Sequence, residues 1–339
     1  MGILNSEKII VTGGGGFLGK AIVRQLVKNN QKVISFSRKF YPELEKLGIE
    51  QIQGDITNKN AVEQAFKDKD IDIVFHTAAK PGVWGDYSVY YNTNVKGTIN
   101  VISACQKHKI SRLIYTSSPS VVFDGTDMEG VNESVPYPSK FHAPYPQTKA
   151  LAEQEVIKST YHGIKAIILR PHLIWGPEDN HLVPRIIKRS KSLRIVGTGK
   201  NLVDTIYIDN AANAHILAAE KLQTCPELSG NIYFISQDEP IPLWDMINAI
   251  LEAGNKPCVT RSISKKTALI IGTILESFYK YFNIKSEPKM TRFIAAELSA
   301  AHWFDISAAK NDLGYYPKIS TTQGLNRLKS WLQEINYVF

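Results

Sequence analysis

The feature that most constrains this chain is a run of glycines between a short apolar stretch and a helical one. Lys8-Ile9-Ile10-Val11-Thr12 is apolar and β-branched, the composition of a buried strand. Gly13-Gly14-Gly15-Gly16 follows, and residues 17–28 then carry Leu18, Ile22, Val23, Leu26 and Val27 at helical spacing. Strand, glycine turn and helix together are the setting that a dinucleotide-binding fingerprint requires. Gly13 suits the tight turn, Gly16 lets the backbone approach a pyrophosphate, and Gly19 lets the helix lie close to the strand. The helix N-terminus at Phe17 and Leu18 offers free N–H donors and a positive dipole end to phosphates.

The first half repeats this rhythm. Strands are expected at 32–36, 49–53, 71–76, 112–116 and 165–170, and helices at 61–66, 91–108 and 145–160. Strands that are apolar throughout belong to a parallel sheet covered on both faces. The expected fold is therefore α/β, a doubly wound (Rossmann) parallel sheet with a smaller, interleaved C-terminal substrate-binding part. Residues 1–175 read as the dinucleotide-binding domain, with segments near 200–235 returning to it. Residues 176–339 read mostly as the substrate-binding part. There, short strands are expected at 195–196, 206–208 and 231–235, and helices at 243–253, 267–281, 291–298 and 322–331.

An NAD site usually has an acidic residue at the end of the second strand, about 20 residues on, for the ribose 2′-hydroxyl. Here that stretch is Ile34-Ser35-Phe36-Ser37-Arg38-Lys39, without a carboxylate. A guanidinium such as that of Arg38 pairs bidentately with a 2′-phosphate. The expected cofactor is NADP, with NAD as the alternative. Asp55, in Gly54-Asp55-Ile56, is a candidate for the adenine amino group.

Tyr145 and Lys149 stand four residues apart in Ala143-Pro144-Tyr145-Pro146-Gln147-Thr148-Lys149. Proline is tolerated in a first helical turn, so Tyr145 belongs near a helix start with Lys149 one turn along the same face. An ammonium beside a phenol favours the phenolate. Such a tyrosine can give a proton to a ketone oxygen as hydride arrives, or take one from an alcohol. Tyr115-Thr116-Ser117-Ser118 ends the fifth strand, at the edge where ligands bind in these sheets; a serine there can hold the substrate oxygen. Asn94 is placed to support Lys149 through a water or a backbone carbonyl.

The net charge of +8 comes from basic residues spread along the chain. Small clusters such as Lys188-Arg189-Ser190-Lys191 read as a solvated helix face, which points away from nucleic acid and towards anionic small molecules or lipid surfaces. Cys105, Cys225 and Cys258 have no metal-ligand spacing, and the eight histidines show no ligand-like pair, so no metal site is expected. Sparse cysteines fit a reducing, cytoplasmic setting. The N-terminus carries no secretory signal. Met1-Gly2-Ile3-Leu4-Asn5-Ser6 matches the loose myristoylation pattern but reads as a lead into the first strand. Residues 267–284 form the longest apolar stretch. Glu276 and Lys280 interrupt it, so it is too short and too charged to span a bilayer. A core helix, a lid over an apolar site and a helix lying on a membrane surface all stay open.

Taken in order, Gly13 to Gly19, His76-Thr77-Ala78-Ala79, Asn94-Val95-Lys96-Gly97-Thr98, Tyr115 to Ser118, Tyr145…Lys149 and Arg170-Pro171…Trp175-Gly176-Pro177 resemble the extended short-chain dehydrogenases/reductases. The wording around Tyr145 is similar to their 3β-hydroxysteroid dehydrogenase/isomerase-like branch. Within it, Trp175 to His181, Asn201-Leu202-Val203-Asp204 with Tyr207-Ile208-Asp209-Asn210, and His302-Trp303-Phe304…Leu313-Gly314-Tyr315-Tyr316-Pro317 look most like the bacterial 2-alkyl-3-oxoalkanoate reductases of olefin biosynthesis. The resemblance implies Tyr145 as acid/base, Lys149 as its partner and Ser118 as the oxygen-holding serine, with Ser117 as the fallback. It implies cofactor contacts at Gly13, Gly16, Phe17, Leu18, Gly19, Ser37, Arg38, Asp55, Ile56, Ala78, Ala79, Lys80 and Pro171. It also implies a homodimer through helices 91–108 and 145–160.

The implied reaction is NADPH-dependent reduction of a β-keto acid to the 3-hydroxy acid. Nucleotide-sugar epimerases of this fold commonly carry an arginine where this chain has Val203, which argues for an apolar substrate. Trp84, Trp175, Phe123, Phe278, Tyr281 and Trp303 are candidates to line its cavity, and Lys80, His142, His172 or Arg185 to meet a carboxylate. The rival readings are a 3β-hydroxysteroid or sterol dehydrogenase using NAD, a nucleotide-sugar epimerase or reductase, and a non-enzymatic dinucleotide sensor.

Overall fold

The computed structural model describes residues 7–335; the myristoylation-like segment at 1–6 lies outside them. β1 (Lys8–Thr12), β2 (Lys32–Ser37), β3 (Glu50–Gln53), β4 (Ile73–His76) and β5 (Arg112–Thr116) alternate with α1 (Phe17–Lys28), α2 (Pro42–Glu45), α3 (Lys59–Phe66), α4 (Tyr87–Tyr90) and α5 (Gly97–Lys107). Then come β6 (Met128–Val131), α6 (Pro144–Thr160), β7 (Lys165–Pro171), β8 (Ile174–Trp175), α7 (Leu182–Arg189), β9 (Ile195–Val196), β10 (Leu202–Val203), β11 (Ile206–Tyr207) and α8 (Ile208–Thr224). The chain continues through β12 (Ile232–Ile235), β13 (Ile241–Pro242), α9 (Leu243–Ala253), β14 (Ser262–Ile263), α10 (Lys265–Tyr281), α11 (Arg292–Glu297), β15 (His302–Phe304), α12 (Ser307–Leu313) and α13 (Thr321–Glu334).

Seven strands form one parallel sheet in the order β12-β7-β5-β4-β1-β2-β3. Ile9, Ile10, Val11, Val74, Phe75, Leu113, Ile114 and Ile167 are fully buried, because helices cover both faces. One core joins the sheet to α1 and α8; the other joins it to α3, α5 and α6. Strand order in the sheet reverses between β1 and β4, with β2 and β3 to one side and β5, β7 and β12 to the other. In such sheets that switch point opens a crevice at the carboxyl ends of the strands.

Outside the main sheet, β13-β10-β15-β6 form a second, four-stranded sheet. β11 pairs with β8, and β14 with β9. Three expectations need correction. The helix expected at 91–108 is broken: α4 leads into a π turn at Tyr91–Lys96, and only then does α5 begin. Residue 208 opens a helix rather than closing a strand; α8 buries Ala211, Ala212, Ala214, Ala218 and Ala219, and alanine favours helix while leaving room for close packing. Finally, α10 is not a core helix. It buries Ala268, Gly272 and Glu276 and leaves Ile270, Ile274, Phe278 and Tyr281 exposed. Among the described residues no helix is long and apolar enough to cross a membrane.

Candidate active site

The glycine turn sits at the switch point. Gly13 has φ +74° and donates its N–H to Phe36 O at 2.8 Å. A Cβ on it would lie 2.9 Å from the backbone of Ala78, and one on Gly19 would lie 2.2 Å from Gly13 O. The loops after β1 and β4 therefore touch, and α1 lies hard against the turn. No side chain caps α1 and no acidic residue stands in its first turn. Its N-terminal donors at Phe17 and Leu18 are left for an anion, which fits a dinucleotide pyrophosphate.

At the end of β2, the Ser37 hydroxyl accepts the Gly15 N–H at 3.0 Å, tying this strand to the turn. Arg38 is exposed; its carbonyl accepts from Gln53 Nε2. The ring of Tyr41 lies over Gly15, where a Cβ would come within 1.9 Å of it. The Gln51 amide holds Tyr41 in place through both its backbone N–H and C=O. Asp55 is half-buried and accepts the Thr57 N–H at 2.8 Å. The Ile56 side chain is committed to packing, since it fills the space beside Gly97 of α5. Ala79 follows Ala78 in the loop after β4, and Pro171 ends β7 opposite Ile235.

The Asn94 side chain is engaged with the loop after β4 and with α6. Its Oδ1 accepts the Lys80 N–H at 2.7 Å, and its Nδ2 donates to Lys80 O at 3.2 Å and Thr148 Oγ1 at 3.0 Å. The π turn aims the amide at the loop after β4 and at α6, joining the two walls of the crevice. His76 works similarly, bridging Thr12 Oγ1 at 2.6 Å and Thr98 Oγ1 at 2.9 Å. Burial lowers its pKa to about 3, so this bridge is neutral.

Tyr145 stands in the first turn of α6, with Pro144 at the helix start. Lys149 is one turn on and 2% exposed, and its ammonium is bonded to β5. It donates to Tyr115 Oη at 2.7 Å and Thr116 O at 2.6 Å, and lies 4.2 Å from the centre of the Tyr115 ring. The expected lowering of the Tyr145 phenol is thus corrected. Burial holds it above the usual tyrosine value, the neighbouring Ser118 hydroxyl draws it back, and the Glu297 carboxylate raises it. Burial lowers Lys149 to about 7, against the pull of Glu153.

Ser118 begins the 3-10 turn at Pro119–Val122, accepting the Ser120 N–H and lying 3.0 Å from Ser120 Oγ. The buried Ser117 Oγ has no hydrogen-bond partner. Behind α6, Glu153 is fully buried and takes Arg170 Nε at 3.2 Å, Arg170 Nη2 at 2.5 Å and Tyr137 Oη at 2.6 Å. This bidentate pair fixes α6 on β7.

Beside Ser118 a cavity is walled by Pro119, Ser120, Phe123, Met128, His172, Glu297, His302 and Phe304. His172 Nε2 and His302 Nδ1 are 2.7 Å apart, and His302 Nε2 meets Glu297 O at 3.0 Å. Burial keeps His172 far below its usual pKa, so this pair is uncharged. Burial also raises the half-buried Glu297 to about 7, against Arg185.

Of the six aromatic residues expected around an apolar cavity, Phe123 lines it. Trp175 is fully buried core against Tyr207, Trp84 packs on Tyr279, Trp303 crowds Gly130, and Phe278 and Tyr281 point outward. Val203 is fully buried in β10. Among the carboxylate candidates, Lys80 covers the Tyr90 ring, His142 meets Asp124 O, His172 is in the neutral pair and Arg185 pairs with Glu287. Glu297, Glu153 and Tyr41 went unseen in the sequence, as did the partners of His76 and Arg170. Each acts through a partner distant along the chain. Among the described residues no group of three or more acidic, histidine or cysteine side chains stands ready for a metal.

A switch-point glycine turn, with a tyrosine, a serine and a buried lysine gathered at the carboxyl edge of β5, defines a dinucleotide-dependent oxidoreductase of the short-chain type. Residues 10–257 match the 3-beta hydroxysteroid dehydrogenase/isomerase family, and the chain belongs to it; the family uses NAD(P). The chain is 49% identical to the 2-alkyl-3-oxoalkanoate reductase of Shewanella oneidensis, over 95% of this chain and 85% of that one. It is 47% identical to the enzyme of the same name from Stenotrophomonas maltophilia, over 95% and 98%. It is 34% identical to the decarboxylating sterol-4-alpha-carboxylate 3-dehydrogenase of Schizosaccharomyces pombe, over 97% and 98%. The fold matches UDP-glucuronic acid 4-epimerase of Bacillus cereus in complex with NAD, with TM-score 0.74 and 25% identity over 97% of this chain and 99% of that one.

Proposed function

We propose that the protein reduces a 2-alkyl-3-oxoalkanoate, a β-keto acid, to the 3-hydroxy acid with NADPH. The observation that carries the chemistry is the Tyr145 phenol next to the Ser118 hydroxyl, at the carboxyl edge of β5. The substrate class is supported by the two relatives at 49% and 47% identity. A nicotinamide bound in this crevice would supply the hydride to C3. Tyr145 gives its proton to the oxygen that forms there, and Ser118 donates a hydrogen bond to the same oxygen. A phenol held above its usual value keeps that proton at neutral pH, as reduction requires. The proton lost from Tyr145 is replaced from solvent, and Lys149 holds the end of β5 through Tyr115 Oη and Thr116 O.

Gly13, Gly16, Phe17, Leu18 and Gly19 would hold the pyrophosphate, and Ala78, Ala79, Lys80 and Pro171 would border the bound cofactor. The choice of NADP rests on Ser37 and the exposed Arg38, with no carboxylate at that strand end. Residues 1–175 serve the dinucleotide, and 176–339 mostly shape the substrate side. A homodimer through α4–α5 and α6 is supported by the exposed Ile99 on α5, and the unpaired cysteines suit a cytoplasmic setting.

The test is NADP reduction with a long-chain 2-alkyl-3-hydroxy acid, with a 3β-hydroxysteroid and NAD in parallel. Tyr145→Phe should remove turnover by about 10²–10⁴-fold and leave NADPH binding nearly unchanged. Steroid turnover with silence on the hydroxy acid would move the protein to the sterol reading that the 34% relative favours. No turnover of either substrate, with dinucleotide binding the same in the natural chain and in Tyr145→Phe, would fit a sensor better than an enzyme.

A further inference from the structure

α10 is built inside out for a helix on a water-facing surface. Its inward line is Ala268, Gly272 and Glu276, at i, i+4 and i+8. Glu276 accepts Arg292 N–H at 2.7 Å and Arg292 Nε at 2.8 Å, and a Cβ on Gly272 would lie 2.7 Å from the backbone of Thr291. The helix is thus gripped by polar contacts and close backbone packing against α11. Its outward line is apolar: Ile270 is 51% exposed, Ile274 61%, Phe278 50% and Tyr281 83%, and Phe282 just beyond is 58% exposed. An exposed apolar stripe of this extent marks a contact surface.

Charge says what covers it. Residues 261–292 hold seven basic and two acidic side chains. The acidic pair is already taken, Glu276 by Arg292 and Glu287 by Arg185 and Arg189. Arg261, Lys265 and Lys266 are exposed at one end of α10, and Lys280, Lys285 and Lys289 at the other. A second copy laid on this helix would bring lysines against lysines at both ends. An anionic lipid surface takes the apolar stripe into its headgroup layer and pairs its phosphates with the basic ends.

We propose that α10 lies flat on an anionic lipid surface, holding the protein there as a peripheral, reversible adsorbate. The far end of the helix is tied to the active-site side of the molecule. Trp84 Nε1 donates to Ile284 O at 3.3 Å, the Trp84 ring packs edge-on to Tyr279, and Lys285 pairs with Asp86 at 3.3 Å. This loop descends from Lys80, which Asn94 holds at the crevice. The surface that would meet lipid is therefore continuous with the loop beside the cofactor crevice.

The experiment is co-sedimentation of the full chain with vesicles of phosphatidylcholine alone and of phosphatidylcholine with about 30% phosphatidylglycerol. Binding is expected to the anionic vesicles only, and to fall with salt. Ile274→Glu with Phe278→Glu should weaken it at least about tenfold, as should Lys265→Gln with Lys266→Gln. Both pairs are exposed and outside the catalytic machinery, so thermal midpoint and turnover of a short soluble substrate should not move. No binding by the natural chain, or equal binding by the Glu variant, overturns the proposal. So does a change of oligomeric state in the Glu variant without vesicle binding by either form, which would assign the stripe to a second copy.

Discussion

Around Tyr145, each neighbour acts in a direction that the structure makes explicit. Glu297 reaches the same space from α11 and is raised to about 7 by burial. Above that pH its carboxylate pushes the Tyr145 phenol up. Glu297→Gln removes that push, so the phenol titrates lower. The pH profile of alcohol oxidation, which needs the phenolate, should then rise at a lower pH than in the natural enzyme. Below pH 7, where Glu297 is protonated, the two profiles should converge. A profile displaced upward would show that Glu297 does not face the phenol. Tyr145 and Lys149 were legible in the sequence because a helix start and a four-residue spacing mark them locally. The direction of the ammonium was not, because it is decided by Tyr115 and Thr116, 34 and 33 positions away.

At the scale of elements, the π turn at Tyr91–Lys96 carries more than its length suggests. Its wider winding turns Asn94 inward, where one amide serves two backbone groups of Lys80 and the Thr148 hydroxyl. π turns recur at functional sites for this reason. Asn94→Ala leaves a buried N–H and carbonyl without partners. It should lower stability by about 1–3 kcal/mol in denaturant titrations, and weaken cofactor binding as the loop after β4 loosens. An unchanged midpoint would mean that water replaces the amide. The sequence reads this segment as one helix because a single wide turn barely changes the apolar period. α8 escapes for the opposite reason: its alanines are buried on many sides, so no apolar face stands out against a polar one.

For the molecule as a whole, seven parallel strands could be placed from sequence, most of them because they are apolar runs between turn residues; β3 at the sheet edge, Glu50–Gln53, is polar and half-buried and is marked by its place in the rhythm. In the second half β9, β11 and four helices could be placed in the same way, while β8, β10, β13, β14 and β15 could not. Its strands β8 to β11, β13 and β14 are two residues long and exist through pairings across the chain, such as Val203 with His302. Filling the crevice should stabilise the whole unit, since the site draws on β1, β2, β4, β5 and α6 together. NADPH at about 100 times its Kd should add about 2.7 kcal/mol, seen as a rise in Tm. The proposal of NADP is falsified if NADH at equal concentration gives the larger rise.

The site holds two groups poised near neutrality, Lys149 and Glu297, both brought to about 7 by burial. An anion arriving beside such groups raises both of their pKa values, so each takes on part of a proton from the medium. Loading the protein with an acidic substrate is then also an act of buffering. Calorimetric heats of binding at pH 7 should differ between phosphate and Tris by the ionisation heat of the buffer times the protons taken up. The apparent affinity should also be greater on the acid side of neutrality.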